Sequence, residues 1–151
     1  MTTLYLLDTN ILSDFRKGPR AHPGVRLFFE SVDDASLFVP VQVIGEIQSG
    51  IQKLRRRKDH PAAFAYEQWL DTLRDEFAGR IIDFDRESAR MWGVLLSGEK
   101  GDPHTIDKQI AAMAMVRGMT VVTGDRGVAF RGFYQLQVVN PMASVASPGA
   151  D

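Results

Sequence analysis

A chain of 151 residues, 44% of them hydrophobic, is long enough to bury one domain's core without a metal or disulfide as a staple. Its 18 basic and 19 acidic side chains nearly cancel to a formal charge of -1, so no global field draws in a polyanion, and any nucleic-acid site must be local. The absence of cysteine excludes disulfide frameworks, thiolate metal sites and cysteine nucleophiles, and fits a reducing compartment. The N-terminus lacks signal-peptide order, and no apolar run is long enough to span a bilayer. The expectation is a soluble, cytoplasmic protein with no membrane partner.

The first element, in "LYLLDTNILSDF", is a short apolar run read as a buried strand, and Asn10 to Phe15 then resume at helical spacing. "KGPRAHPG" at 17 to 24 is a turn-rich break before a second helical pattern from Val25 to Val32. "SLFVP" is a second strand, stopped by Pro40, and from Val41 to Leu54 the residues Val43, Ile44, Ile47, Ile51 and Leu54 form one helical stripe. "RRRKDHP" ends that helix. Residues 62 to 77 make another, built around Phe64, Trp69, Leu70, Leu73 and Phe77 and suited to core or a protein interface. "GRIIDFD" is a third strand, 86 to 97 a helix, and "SGEKGDPHT" a loop. A small-residue helix from Ile106 to Val116 precedes a fourth strand, "TVVTGD", and a fifth, "LQVVNP". Alternating strands and helices predict an α/β fold with a mainly parallel sheet of about five strands, covered on both faces. One domain over 1–142 and a polar tail over 143–151 are expected.

Most acids sit among other polar residues, as solvated faces require. Asp8, Glu46, Asp107 and Asp125 do not. Asp8 ends the first strand, on the sheet edge where ligands of parallel sheets bind, although Asp8 or Thr9 would equally serve as a helix cap. Glu46 lies in an otherwise uncharged helix, with no basic residue three or four positions away. Asp107 heads the apolar stripe of Ile110, Ala111 and Ala114, and a carboxylate there also suits the helix dipole. Asp125 directly follows the fourth strand. Strand ends and helix starts meet at one edge of such a sheet, and carboxylates gathered there repel one another unless a cation joins them. All-oxygen ligation selects a hard ion, Mg²⁺ or its substitute Mn²⁺. Such an ion activates water and neutralises charge on a phosphoryl group, which is the chemistry of phosphodiester hydrolysis.

With these motifs in order, the sequence resembles the PIN-domain ribonucleases, and within them the VapC-type toxins of toxin-antitoxin pairs, in particular the FitB-like branch. "LLDTNILSDF", "VQVIGEIQSGI", "DKQIAAMA" and "VVTGDRGVAF" resemble that family's four motifs, and "AGRIIDFD" and "VVNP" its intervening sequence. The resemblance implies a three-layer α/β/α fold and Mg²⁺-dependent endoribonuclease activity. It implies Asp8, Glu46, Asp107 and Asp125 as the catalytic metal site, with Thr9, Asn10 and Thr123 as polar support. It further implies a homodimer, a cognate antitoxin, an RNA substrate, and promoter DNA reached only through the antitoxin complex. Gly124 departs from an arginine common in the family, and Pro40 from a serine or threonine helix cap.

The run Arg55, Arg56, Arg57 and Lys58 is either an RNA phosphate contact or a solvated helix end suited to the dipole. His22, His60 and His104 each adjoin a proline, are expected in loops, and receive no catalytic role. Nucleotide-binding glycine loops and a serine-hydrolase elbow are absent from the sequence. Two rivals remain: a catalytically weak PIN-like module that works with an antitoxin on promoter DNA, and a receiver-like domain that accepts phosphate on the same sheet edge.

Overall fold

The computed structural model describes residues 2–96, 101, 103–124 and 135–143. The elements run β1 (Tyr5–Leu7), α1 (Thr9–Phe15), α2 (Pro23–Ser31), β2 (Leu37–Pro40), α3 (Val41–Arg56), α4 (His60–Glu76), β3 (Ile81–Ile82), α5 (Arg86–Leu95), α6 (Thr105–Arg117), β4 (Thr120–Val122) and β5 (Gln137–Val139). Five strands form one sheet in the order β3-β2-β1-β4-β5, and every pairing is parallel. The expected α/β sandwich is therefore the observed one.

Strand alternation divides the core into two. Leu7, Val39 and Val122 point to one face, where they meet Ile11, Val25, Val43, Ile47, Ile51, Leu70 and Leu73 from α1 to α4. Their neighbours Leu6 and Val121 point to the other, against Ile110, Ala111 and Ala114 of α6 and Leu95 of α5. The two-residue period of a strand requires such a split. The chain builds outward from β1 to β2 and β3 through helices on the first face. It then returns through α5 and α6 on the second face to place β4 on the far side of β1. A right-handed crossover must change faces when the direction of strand addition reverses. That reversal opens a crevice between β1 and β4 at the carboxyl edge, the place where open α/β sheets bind ligands.

Several elements depart from the sequence-based reading. The third strand keeps only Ile81 and Ile82 of "GRIIDFD", because Asp85 instead caps α5 by accepting from the Ser88 N–H at 2.9 Å. Short 3₁₀ turns at Gly18–Arg20 and Asp34–Ser36 stand where loops were expected. The histidines are at helix starts and not in plain loops: His22 caps α2 through Nδ1, which accepts from the Gly24 N–H at 3.0 Å, His60 opens α4, and His104 precedes α6. Phe64 does not join the α4 stripe. It is 60% exposed, whereas Leu70, Leu73 and Phe77 are buried. Arg80 ties β3 to β2 by donating to the carbonyls of Asp34, Leu37 and Glu76 while its guanidinium lies over the Phe77 ring. Arg117, at the end of α6, donates to Asp85 and Ser88 at the start of α5. No helix among the described residues is long and apolar enough to cross a membrane.

The second core depends on α6, whose residues Ile110 through Met113 are fully buried. Ile110→Ala is expected to lower unfolding free energy by about 2–5 kcal/mol, the range for emptying a packed aliphatic site. Val94→Ala, at a position 73% exposed, is expected to change it by no more than about 0.5 kcal/mol. Urea denaturation of both variants checks the contrast.

Candidate metal centre

Asp8 stands where β1 ends and α1 begins, and it performs both functions that its position allows. Its N–H continues the sheet ladder by donating to the Val122 carbonyl at 2.9 Å. Its Oδ1 accepts from the Thr9 N–H at 2.8 Å, capping α1, while its Oδ2 accepts from Thr123 Oγ1 at 3.0 Å. Capping and membership of the acidic site are thus not alternatives. Thr123 is fully buried at the end of β4, the strand across the crevice. Asn10 Nδ2 donates to Thr123 Oγ1 at 3.3 Å, and Asn10 Oδ1 accepts from the Gly124 N–H at 3.0 Å. One side chain therefore stitches α1 to the turn leaving β4.

Thr9 couples two acids. Its backbone holds Asp8, and its Oγ1 donates to Glu46 Oε1 at 3.0 Å. Glu46 lies at the exposed rim, five residues into α3. Pro40 is the N-cap residue of α3 and offers no side-chain bond, so this departure from the family pattern leaves the helix start uncapped. Asp107, in the first turn of α6, heads the buried stripe anticipated for it. His104 Nδ1 lies 3.5 Å from its Oδ2.

The three carboxylates sense one another. Burial, with the charges of Asp107 and Glu46, pushes the Asp8 pKa up to about 6 against the opposing hydrogen bonds from Thr9 and Thr123. Partial withdrawal from water also raises Glu46, the Thr9 bond opposes this, and Asp107 adds to the rise. Among the described residues no basic side chain pairs with Asp8 or Glu46. Such a donor set, oxygen only and anionic, has the chemistry that suits a hard cation. Among the described residues no group of three acidic or histidine side chains is placed to hold a metal ion, and Asp125 lies outside the described residues. The site is an open sheet edge. A groove of about 550 Å³ lies elsewhere, lined by residues that include Leu12, Phe29, Trp69 and Phe77 but not Asp8, Glu46 or Asp107.

Two further features bear on the sequence-based reading. A Cβ at Gly124 would stand 2.7 Å from Met142 Sδ, so Met142 occupies the space that a side chain there would claim. The basic run falls at the opposite end of α3, where Arg55 pairs with Glu67 and donates to Gln52 at 2.7 Å. The polar partners missed by sequence reasoning are Gln42 and Gln109, whose side chains meet at 3.2 Å between α3 and α6. Nothing in linear spacing signals that contact.

Because the Asp8 pKa rises from 3.8 to about 6 on folding, the folded protein holds a proton that the unfolded chain has released between those values. The metal-free protein accordingly loses stability as pH rises through that window and carries the full penalty above it. Asp8→Asn keeps an acceptor for Thr9 and removes the charge. In EDTA it is expected to be more stable than the wild type at pH 7.5, by on the order of 3 kcal/mol for a two-unit shift. That advantage is expected to vanish near pH 4, as urea denaturation across pH would show.

Comparison with known proteins follows the same lines. The PIN domain family model matches residues 5–134. The plasmid stability protein StbB of Pseudomonas syringae pv. tomato is 30% identical over 144 residues, covering 91% of this chain and 98% of that protein. FitAcB from Neisseria gonorrhoeae superimposes with a TM-score of 0.72 at 26% identity, covering 91% of this chain and 98% of the other. VapBC2 of Rickettsia felis, solved with a fragment of its promoter DNA, shares the fold with a TM-score of 0.67 at 22% identity, over 91% of this chain and 98% of the other. The chain belongs to the PIN domain family.

Proposed function

We propose that this protein is the toxin of a toxin-antitoxin pair and an endoribonuclease that hydrolyses RNA phosphodiester bonds with Mg²⁺, or Mn²⁺ in its place. The observation that carries the reading is the buried Asp8 carboxylate at the β1/β4 crevice, close enough to Glu46 and Asp107 to feel their charge. Asp8, Asp107 and Asp125 would hold the ion, with Glu46 as an outer ligand or as the base for the attacking water. The ion supplies charge neutralisation at the phosphoryl group and an acidified water.

The chain's own residues do the rest. Thr123 and the Thr9 N–H fix the Asp8 carboxylate in one orientation. Asn10 holds the turn after β4 against α1. Thr9 anchors one oxygen of Glu46 and leaves the other to take a proton from water. Attack at phosphorus in line with the departing 3′ oxygen then yields a 5′ phosphate and a 3′ hydroxyl. Arg55 is already engaged, so phosphate contact at the far end of α3 falls to Arg56, Arg57 and Lys58. That end lies about 15 Å along the helix from Glu46 at 1.5 Å per residue. A toxin-antitoxin complex and two DNA-bound complexes among the structural neighbours support an antitoxin partner and a promoter-binding complex formed with it. A homodimer and a cytoplasmic location belong to the same reading.

Purified, antitoxin-free protein is expected to cut a defined RNA pool with Mg²⁺ or Mn²⁺ and not with EDTA. Asp8→Asn and Glu46→Gln, matched for folding by circular dichroism, are expected to lose at least about 100-fold in rate, the lower range for removing general acid-base help. A well-folded wild-type chain that leaves all RNA intact would overturn the nuclease reading in favour of a binding module acting with its antitoxin on DNA.

A further inference from the structure

We propose that Gln42 and Gln109 form a clasp that sets the separation of Glu46 from Asp107, making both amides positioning residues of the metal centre. The inference rests on the reading of that centre given above. Gln42 Nε2 donates to Gln109 Oε1 at 3.2 Å. The two helices belong to different layers. The apolar stripe of α3 lies in the first core and that of α6 in the second, and the helices pack chiefly on α4 and α5 respectively. Apolar packing therefore leaves their mutual spacing weakly specified, and the amide pair joins them directly over the carboxyl edge of the sheet.

The clasp is next to the chemistry on both sides. Glu46 lies one helical turn after Gln42, and Asp107 lies two residues before Gln109. A helix is stiff over so short a span, so fixing the amides fixes the backbone points from which the carboxylates project. The pair is also poorly explained as packing. Among the described residues Gln42 Oε1 is buried with no hydrogen-bond partner, an arrangement that an apolar side chain of similar size would avoid. A buried polar contact that costs stability can instead fix one register between two elements, as a single asparagine does between coiled-coil helices.

The test uses the full chain, with Mn²⁺ as probe. Mn²⁺ affinity is measured by calorimetry for the wild type, Gln42→Leu, Gln109→Leu and the double variant, alongside the stability of each in EDTA. Each single variant is expected to bind Mn²⁺ about 10-fold to 100-fold more weakly, the range seen when supporting partners of metal ligands are removed. Stability in EDTA is expected to hold or rise. The double variant is expected to be no weaker than the singles, since residues that act through one contact are not additive. Gln109→Met serves the same comparison should a leucine variant misfold. Unchanged Mn²⁺ affinity in the singles, or additive losses in the double, would overturn the clasp while leaving the metal reading in place. A wild-type chain that takes up no Mn²⁺ would overturn both.

Discussion

The burial of one carboxylate, that of Asp8, is the constraint around which the rest of the structure is arranged. Asp8 is only 6% exposed and, among the described residues, has no basic partner, so its ionised form is held against a desolvation penalty. Two hydrogen bonds soften that penalty without cancelling it. The stability that carries it comes from the two apolar cores on either side of the sheet, which meet at adjacent residues of β1: Leu6 faces one and Leu7 the other. The next residue in the chain is Asp8. A central strand buried on both faces thus delivers its terminal side chain to the one edge where the sheet order reverses.

Small polar side chains turn that position into a site. Thr9 serves two acids at once, with its N–H on Asp8 and its hydroxyl on Glu46, so a shift of α1 would move both. Asn10 and Thr123 form a relay ending on Asp8, each donating to the next. The approach of Met142 to Gly124 gives the family's missing arginine a local physical context: the volume beside that backbone is already filled. Asn140 steadies the turn that delivers Met142 by accepting from its N–H at 3.0 Å.

The legible parts of this protein are those that local pattern controls. The α3 stripe, the mainly parallel sheet and the acid at the end of β1 follow from periodicity and from the rule that parallel strands need helical crossovers. Asp8, Glu46 and Asp107 could be singled out because each breaks an otherwise apolar or uncharged stretch. What failed was of another kind. Phe64 fits the helical period and yet faces solvent, because period defines a stripe and not its edges. The strand over "GRIIDFD" was cut short by the cap that Asp85 gives α5, a competition between ladder and cap that composition does not decide. The Gln42 to Gln109 contact joins residues 67 apart and depends on how two layers close over the sheet edge, which only the assembled fold defines.

The electrostatic penalty also links stability to activity on the proposed reading. A cation that binds the folded site and not the unfolded chain stabilises the fold by mass action, and here it would also offset the burial of charge, and the lesser mutual repulsion, that raise Asp8 and Glu46. The acids are thus destabilising in the metal-free protein for the same reason that they are useful in the loaded one. An amide or alanine at position 8 would suit a scaffold better. That a carboxylate is buried there, capping α1 and held by Thr9 and Thr123, is what favours the proposed reading of this edge over a purely architectural one.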